Sequence, residues 1–239
     1  MTIPKWQYDE PDHPGADFDA LAEIYDRNMQ RYRDIQGEIQ EILDFLDLQS
    51  DQTVLEIGTG TGEFALAAAS RCAKVYAVDL SSGMLRYAKK KAESRCIGNV
   101  EFIQAGFLTY CNPVSFDAVV SQIALHHLPE FWKQIALNRM ADMLRDGGKF
   151  FLRDMVYTFD IRDYENAFES YITRASEIAG DEFAGRISDH IKNEYSTMNW
   201  IMEGMIERAG ISIIRKEYSD AFIGAYYCLK INDNELPRT

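Results

Sequence analysis

Apolar positions along the chain switch between two periods. From about residue 50 to residue 155, short runs of β-branched and aliphatic residues alternate with stretches whose apolar positions recur every three to four residues. That is the pattern of βαβ units building a parallel sheet. Strands are expected at Thr53–Ile57, Val75–Asp79, Val100–Gln104, Phe116–Ser121 and Lys149–Asp154, and helices at Glu63–Ser70, Gly83–Ser94 and Phe131–Leu144. Asp146-Gly147-Gly148 supplies a stop signal after the last of these helices. Further on, a helix over Thr197–Ala209 is stopped by Gly210, and two strand-like runs, Ser212–Tyr218 and Phe222–Leu229, follow a few residues apart. So short a connection predicts an antiparallel hairpin that finishes the sheet. The fold class is therefore α/β and doubly wound, in one domain spanning residues 1–239.

Two regions stand outside the alternation. Phe18, Leu21, Tyr25, Met29 and Tyr32, then Ile35, Ile39, Ile42 and Leu46, recur at helical spacing, which predicts an N-terminal helical arm within residues 1–48. The second is an insertion after the fifth strand, residues 156–196, where Tyr164, Phe168 and Tyr171 share a helical face. Both are read as covers for the open edge of the sheet, and the insertion as a lid or substrate-binding element; the competing reading is that these aromatics are core.

Composition narrows the partners. With 46% hydrophobic and 26% charged residues in 239, the chain is an ordinary globular one, and its apolar runs are shorter than the roughly 18 residues a membrane span needs. No membrane partner is expected. The opening MTIPKWQYDEPDHPG lacks the charged-then-apolar order of a secretory signal, so a cytoplasmic location is expected. A net charge of −13 repels polyanions and argues against nucleic acid, and the basic run Lys89, Lys90, Lys91 and Arg95 reads as a solvated helix face. Cys72, Cys96, Cys111 and Cys228 form no CxxC pair and read as reduced thiols. Oligomeric state is not encoded in any of these features.

The stretch VLEIGTGTGEFALAAAS carries the chemistry. Glycines between a strand and a helix let backbone N–H groups and the helix dipole meet a ligand closely. In a dinucleotide fingerprint a third glycine sits where this chain has Glu63, and Glu56 lies on the other side of the loop. Two carboxylates would repel a pyrophosphate and suit a cationic ligand such as S-adenosylmethionine (AdoMet), with its sulfonium and ammonium groups. A nicotinamide-dependent oxidoreductase is disfavoured on the same ground. Asp79 ends the second strand, 21 residues after Gly58, where a carboxylate either accepts both ribose hydroxyls or caps the helix beginning at Ser81-Ser82.

EIGTGTG, then VDLSSGML, FIQAGFLTY and FDAVVSQIALHHL, taken in that order, resemble the class I AdoMet-dependent methyltransferases, and more narrowly the small-molecule branch that includes ubiquinone- and menaquinone-biosynthesis enzymes. The resemblance covers about Asp51 to Asp154. It implies a Rossmann-like sheet of seven strands with the last antiparallel, AdoMet as cofactor and S-adenosylhomocysteine as product. It places Glu56, Gly58, Gly60 and Gly62 around the methionine part, Asp79 on the ribose, Leu80 and Met84 beside the adenine, and Ala105, Gly106 and Phe107 along the adenine edge. Gly106 departs from the pattern, because many relatives carry there an Asp that accepts the adenine amino group.

Ligands of open α/β sheets sit at the carboxyl ends of the strands, where the glycine loop, Asp79, Gly106, the Ser121–His127 segment and Asp154–Tyr157 converge. Ser121 and Ile123 are expected beside the cofactor. Methyl transfer is an in-line displacement that positioning alone accelerates, so a protein base is optional; His126 and His127, with Asp154, are the candidates. Tyr25, Arg153 and Tyr157 are candidate pocket or lid residues. No third ligand lies at suitable spacing from the two histidines, so no metal is expected. The function read here is methyl transfer to a small molecule, the alternative being a non-catalytic AdoMet-binding module of the same fold.

Overall fold

The computed structural model describes residues 6–12, 18–31 and 33–231; Tyr32 lies outside them. Among the described residues seven strands form the main sheet: β1 (Thr53–Ile57), β2 (Lys74–Asp79), β3 (Val100–Gln104), β4 (Phe116–Gln122), β5 (Leu144–Tyr157), β7 (Ile211–Ser219) and β8 (Ile223–Lys230). Their order is β3-β2-β1-β4-β5-β8-β7, and a two-residue β6 (Thr197–Met198) pairs with the end of β5. β1 to β5 are mutually parallel, while β8 runs antiparallel to both of its neighbours. The chain moves outward from β1 to β3 and then crosses to β4 and β5. This reversal opens a crevice at the carboxyl ends of β1 and β4, the topological switch point of an open α/β sheet.

Alternation along the strands divides the core into two layers. Leu55, Ile57, Val119, Phe150 and Leu152 pack on one face with α5 (Glu130–Met143) and α8 (Asn199–Arg208), through Leu137, Met140, Met202 and Ile206. Val54, Val75, Ala77, Ala118, Val120 and Phe151 face the other way, against α2 (Ile35–Leu46) and α3 (Glu63–Ala68). Successive strand residues point to opposite faces, so a central strand covered on both sides is apolar throughout. That near-continuity, broken inside β1 only by the buried Glu56, is why β1 is legible as a single run. Truncating Leu55, wholly buried in the first layer, to alanine is expected to cost about 2–5 kcal/mol of stability. Chemical denaturation measures it, and a loss under 1 kcal/mol would contradict the packing described.

The remaining differences from the periodicity lie at element ends. β5 begins five residues earlier than expected, because Leu144 pairs with Phe116 and the chain passes through Gly147, at φ +68°, before regular pairing with β4. It also continues to Tyr157, where it meets Met198; Thr197 therefore starts a strand pair rather than a helix. The arm folds as α1 (Phe18–Met29) and α2, and α1 crosses α4 (Ser82–Ser94). The insertion folds as α6 (Tyr164–Ala179) and α7 (Asp181–Asn193). It docks through aromatics, with Tyr171 stacked on Phe222 at 3.9 Å and Phe168 edge-on to Tyr157 at 5.4 Å. Tyr164, on the same face, remains half exposed.

Candidate functional site

A cavity of about 560 Å³ occupies the switch-point crevice. Its floor is the loop after β1, from Gly58 to Thr61, where Gly58 and Gly60 adopt φ +80° and +53°. Both Gly58 N and Thr59 N donate to Val78 O, which ties the loop to β2. Asp79 then reaches back: its Oδ2 accepts Gly60 N at 2.7 Å and its Oδ1 accepts Ser81 N at 2.8 Å. The helix cap belongs to Ser81, whose hydroxyl accepts Met84 N. Asp79 is thus a brace across the loop whose carboxylate also lines the cavity, and burial raises its pKa. Across the gap Ile123 lines the cavity at φ +47°, a costly conformation for a β-branched residue.

Glu56, at the end of β1, is buried and also faces the cavity. Burial pushes its carboxyl up to about 8, against the hydrogen bond that Thr59 Oγ1 donates at 2.6 Å. The second carboxylate of the loop behaves differently. Glu63 lines the cavity too, but Lys91 sits 2.5 Å from it and also pairs with Asp26 of α1 at 2.6 Å. Glu63 therefore faces any ligand largely neutralised, and Glu56, protonated until a cationic ligand draws off its proton, favours an ammonium rather than repelling a pyrophosphate by standing charge. The basic run on α4 is correspondingly not all solvated face, since Lys91 is half-buried in these ion pairs.

The arm closes over the loop through residues that no local motif marks. Asp19 accepts Gly83 N at 2.7 Å and Ser81 Oγ at 2.5 Å, and Thr61 Oγ1 donates to Asp26. Tyr25, Asp26, Met29 and Arg33 then form the cavity's outer wall. At the other end Glu10, from a short turn at Glu10–Asp12, is buried against Gly106. A Cβ on Gly106 would stand 2.5 Å from Glu10 Oε1. Glu10 Oε2 accepts Leu108 N at 3.0 Å, while Oε1 is buried without a hydrogen-bond partner, and burial raises the pKa of the group.

Of the residues expected at this site, Glu56, Gly58, Gly60, Asp79, Leu80, Met84, Ala105, Gly106, Phe107, Ile123, His127 and Tyr25 border the cavity. Six others do not. Gly62 begins α3 at φ +79° with its α-carbon packed toward Ala88, and Ser121 is wholly buried within β4. Arg153 turns to α2, pairing with Glu38 at 3.2 Å and Glu41 at 3.0 Å, one residue behind the wall. Asp154, on the opposite face of β5, is buried against His126, their Nδ1–Oδ1 distance being 2.5 Å. Burial works to lower His126, but the Asp154 and Glu194 carboxylates outweigh it and raise its pKa to about 9. Tyr157 lies in the aromatic cluster with Phe159, Phe168 and Phe222. No residue of the insertion lines the cavity, so the expected lid role of 156–196 is not what its docking supports.

Comparison with known proteins adds the following. A family model described as a methyltransferase domain matches residues 54–148. An uncharacterized methyltransferase of Geobacillus kaustophilus is 30% identical over 200 residues, covering 82% of this chain and 87% of its own length. Another, of Anoxybacillus flavithermus, is 28% identical over 201 residues, covering 82% and 88%. Among solved structures, an S-adenosylmethionine-dependent methyltransferase from Clostridium acetobutylicum aligns with a TM-score of 0.65 at 14% identity, over 90% of this chain and 99% of that one. Magnesium protoporphyrin IX methyltransferase from Synechocystis PCC 6803, solved with bound SAM, aligns at 0.59 and 15% identity, over 91% and 99%.

Proposed function

As the chain belongs to the class I AdoMet-dependent methyltransferases, we propose that it moves the AdoMet methyl group onto a small-molecule acceptor inside the switch-point cavity. The observation that carries the acceptor class is the arm. Asp19 and Asp26 anchor α1 across the glycine loop, so an acceptor enters a covered pocket rather than docking on a flat face. A volume of about 560 Å³ is in the range of small-molecule sites. Net charge of −13 adds a repulsive field against nucleic acid.

In this reading Asp79 accepts the ribose hydroxyls, Glu56 meets the ammonium of the methionine part, and Met84, Leu80 and Phe107 enclose the adenine. The acceptor's lone pair attacks the methyl carbon in line with the sulfur; the C–S electrons return to sulfur and S-adenosylhomocysteine leaves. Holding the two at near-attack distance in a dry pocket supplies most of the acceleration. Where the acceptor carries a proton, His127 is the base, because it alone of the three catalytic candidates borders the cavity. Incubating the protein with methyl-labelled AdoMet and a cell extract split by ultrafiltration tests this. Label is expected in the small-molecule fraction; label only in macromolecules would overturn the acceptor class.

Glu10 takes the place of the acid missing at 106. Its buried Oε1 is an unsatisfied acceptor at the adenine edge, and the residue at 106 is glycine because any side chain there would collide with it. The wild type is expected to prefer AdoMet over the analogue whose adenine amino group is replaced by an oxo group by about tenfold, the worth of one hydrogen bond to a buried acceptor. Glu10→Ala should erase the preference. An undiminished preference in the variant would remove Glu10 from the site.

Glu56 gives cofactor binding a pH dependence. With its carboxyl at about 8 in the free protein, a ligand ammonium selects the ionised form and binding releases a proton. Affinity should rise with pH, approaching tenfold per unit between about pH 5.5 and 6.5, below the range where the ligand's own α-amino group titrates. Calorimetry in buffers of different ionisation enthalpy reads the released proton. Glu56→Gln should bind more weakly with a flat profile, and a flat wild-type profile would contradict the assignment.

A further inference from the structure

Three of the chain's four histidines meet behind the cavity wall. His126 and His127 follow β4 in a single turn, and His190 comes from the last turn of α7, with ring centroids 4.3 Å apart for His126 and His127 and 4.9 Å for His126 and His190. Glu194, just past α7, reaches into the middle of them. Its Oε2 is 3.0 Å from His126 Nε2, 3.7 Å from His127 Nδ1 and 2.5 Å from His190 Nδ1. That oxygen is buried, and none of these contacts has the alignment of a hydrogen bond.

From this geometry we infer that His126, His127 and Glu194 form a binding site for a divalent transition-metal ion such as Zn²⁺. One donor atom from each lies within 4.8 Å of the other two. Two donors about 2.1 Å from one ion stand roughly 3.4 Å apart in a tetrahedral site, and the 3.0 and 3.7 Å separations bracket that value. Two imidazoles and a carboxylate are a donor set that suits zinc and its first-row neighbours. The surroundings complete the pattern. Asp154 Oδ1 lies 2.5 Å from His126 Nδ1 and also accepts Met155 N at 2.7 Å, so a fixed carboxylate holds the ring and leaves Nε2 as the ligand. His190 Nε2 lies 2.7 Å from Ser196 Oγ, which aims the other nitrogen at Glu194 as a positioning group. The Asp154 and Glu194 carboxylates both lie against His126, so two negative groups converge where a divalent ion would sit.

Spacing along the sequence hides this site, because Glu194 belongs to the insertion and the histidines to the β4 end. It also gives the insertion a task its aromatics do not, since the residue after α7 then delivers a ligand to the back of the wall that His127 shares with the cavity; with an ion on Nδ1, His127 keeps its proton on Nε2 and is a base only in the metal-free protein. Metal binding here does not depend on methyl transfer and can be measured without it.

Untagged full-length protein is stripped with a chelator, dialysed against excess Zn²⁺, and the bound metal counted by mass spectrometry. One ion per chain is expected, and Co²⁺ in its place should give visible ligand-field bands. Glu194→Gln and His127→Asn should each lose the ion and the bands while still unfolding cooperatively, whereas Cys96→Ser with Cys111→Ser should retain both, excluding the exposed thiols as the binders. Binding well below one ion per chain, or binding that survives both ligand variants, would overturn the inference and leave His126 held as an imidazolium between Asp154 and Glu194.

Discussion

Replacing Asp79 with alanine is expected to weaken AdoMet binding by about two to four orders of magnitude, since two charge-assisted hydrogen bonds of roughly 1.5–3 kcal/mol each are lost. Two functions of one side chain disappear together. The ribose hydroxyls lose their acceptor, and Gly60 N and Ser81 N lose the brace that holds the loop and the start of α4 in register. Asp79→Asn separates them, because an amide can still accept one backbone N–H but carries no charge; its loss should fall between wild type and alanine. Titration calorimetry reads all three. An alanine variant within a few-fold of wild type would mean that Asp79 serves the loop alone.

Gly58→Ala should be the most damaging single methyl group in the site. Its φ of +80° disfavours any side chain, and a Cβ there would stand 2.4 Å from the Cβ of Ala124 across the crevice. Left-handed strain of about 1–2 kcal/mol adds to an overpacking cost of about 1–3 kcal/mol. For a chain of this size that lowers the melting temperature by roughly 4–20 °C. Gly60→Ala is the internal comparison: the same sign of φ, but nothing within 4 Å of the added carbon, so only the strain remains. Equal melting temperatures for the two variants would show that the β1 loop and the Ile123–Ala124 turn do not press together as described.

Legibility in the sequence followed the distance between partners. β1 and β3 match their periodicity residue for residue, since an apolar run bounded by polar turns is local information. The glycine loop and Asp79 were readable for the same reason. What the sequence could not display is pairing across long separations. Glu10 meets Leu108 and Gly106, Asp19 meets Ser81, and Asp26 meets Thr61 and Lys91, each from an arm whose helical spacing announces a helix but not its docking site. Glu63 looked like a free carboxylate because Lys91 is 28 residues away, and the fold turns it into half of an ion pair. The aromatic face of α6 is visible as a face; only the structure shows it packed on Phe222 and Tyr157, away from the cavity wall.

A crystal structure with S-adenosylhomocysteine bound tests the cofactor site most directly. The ribose hydroxyls are expected on Asp79, the adenine amino group at Glu10 Oε1 beside Gly106, the ammonium at Glu56, and α1 in place over the thioether with His127 facing the position of the lost methyl group. A nucleoside seated away from Asp79, or a ligand that binds only after α1 lifts from Asp19's contacts with α4, would contradict this placement.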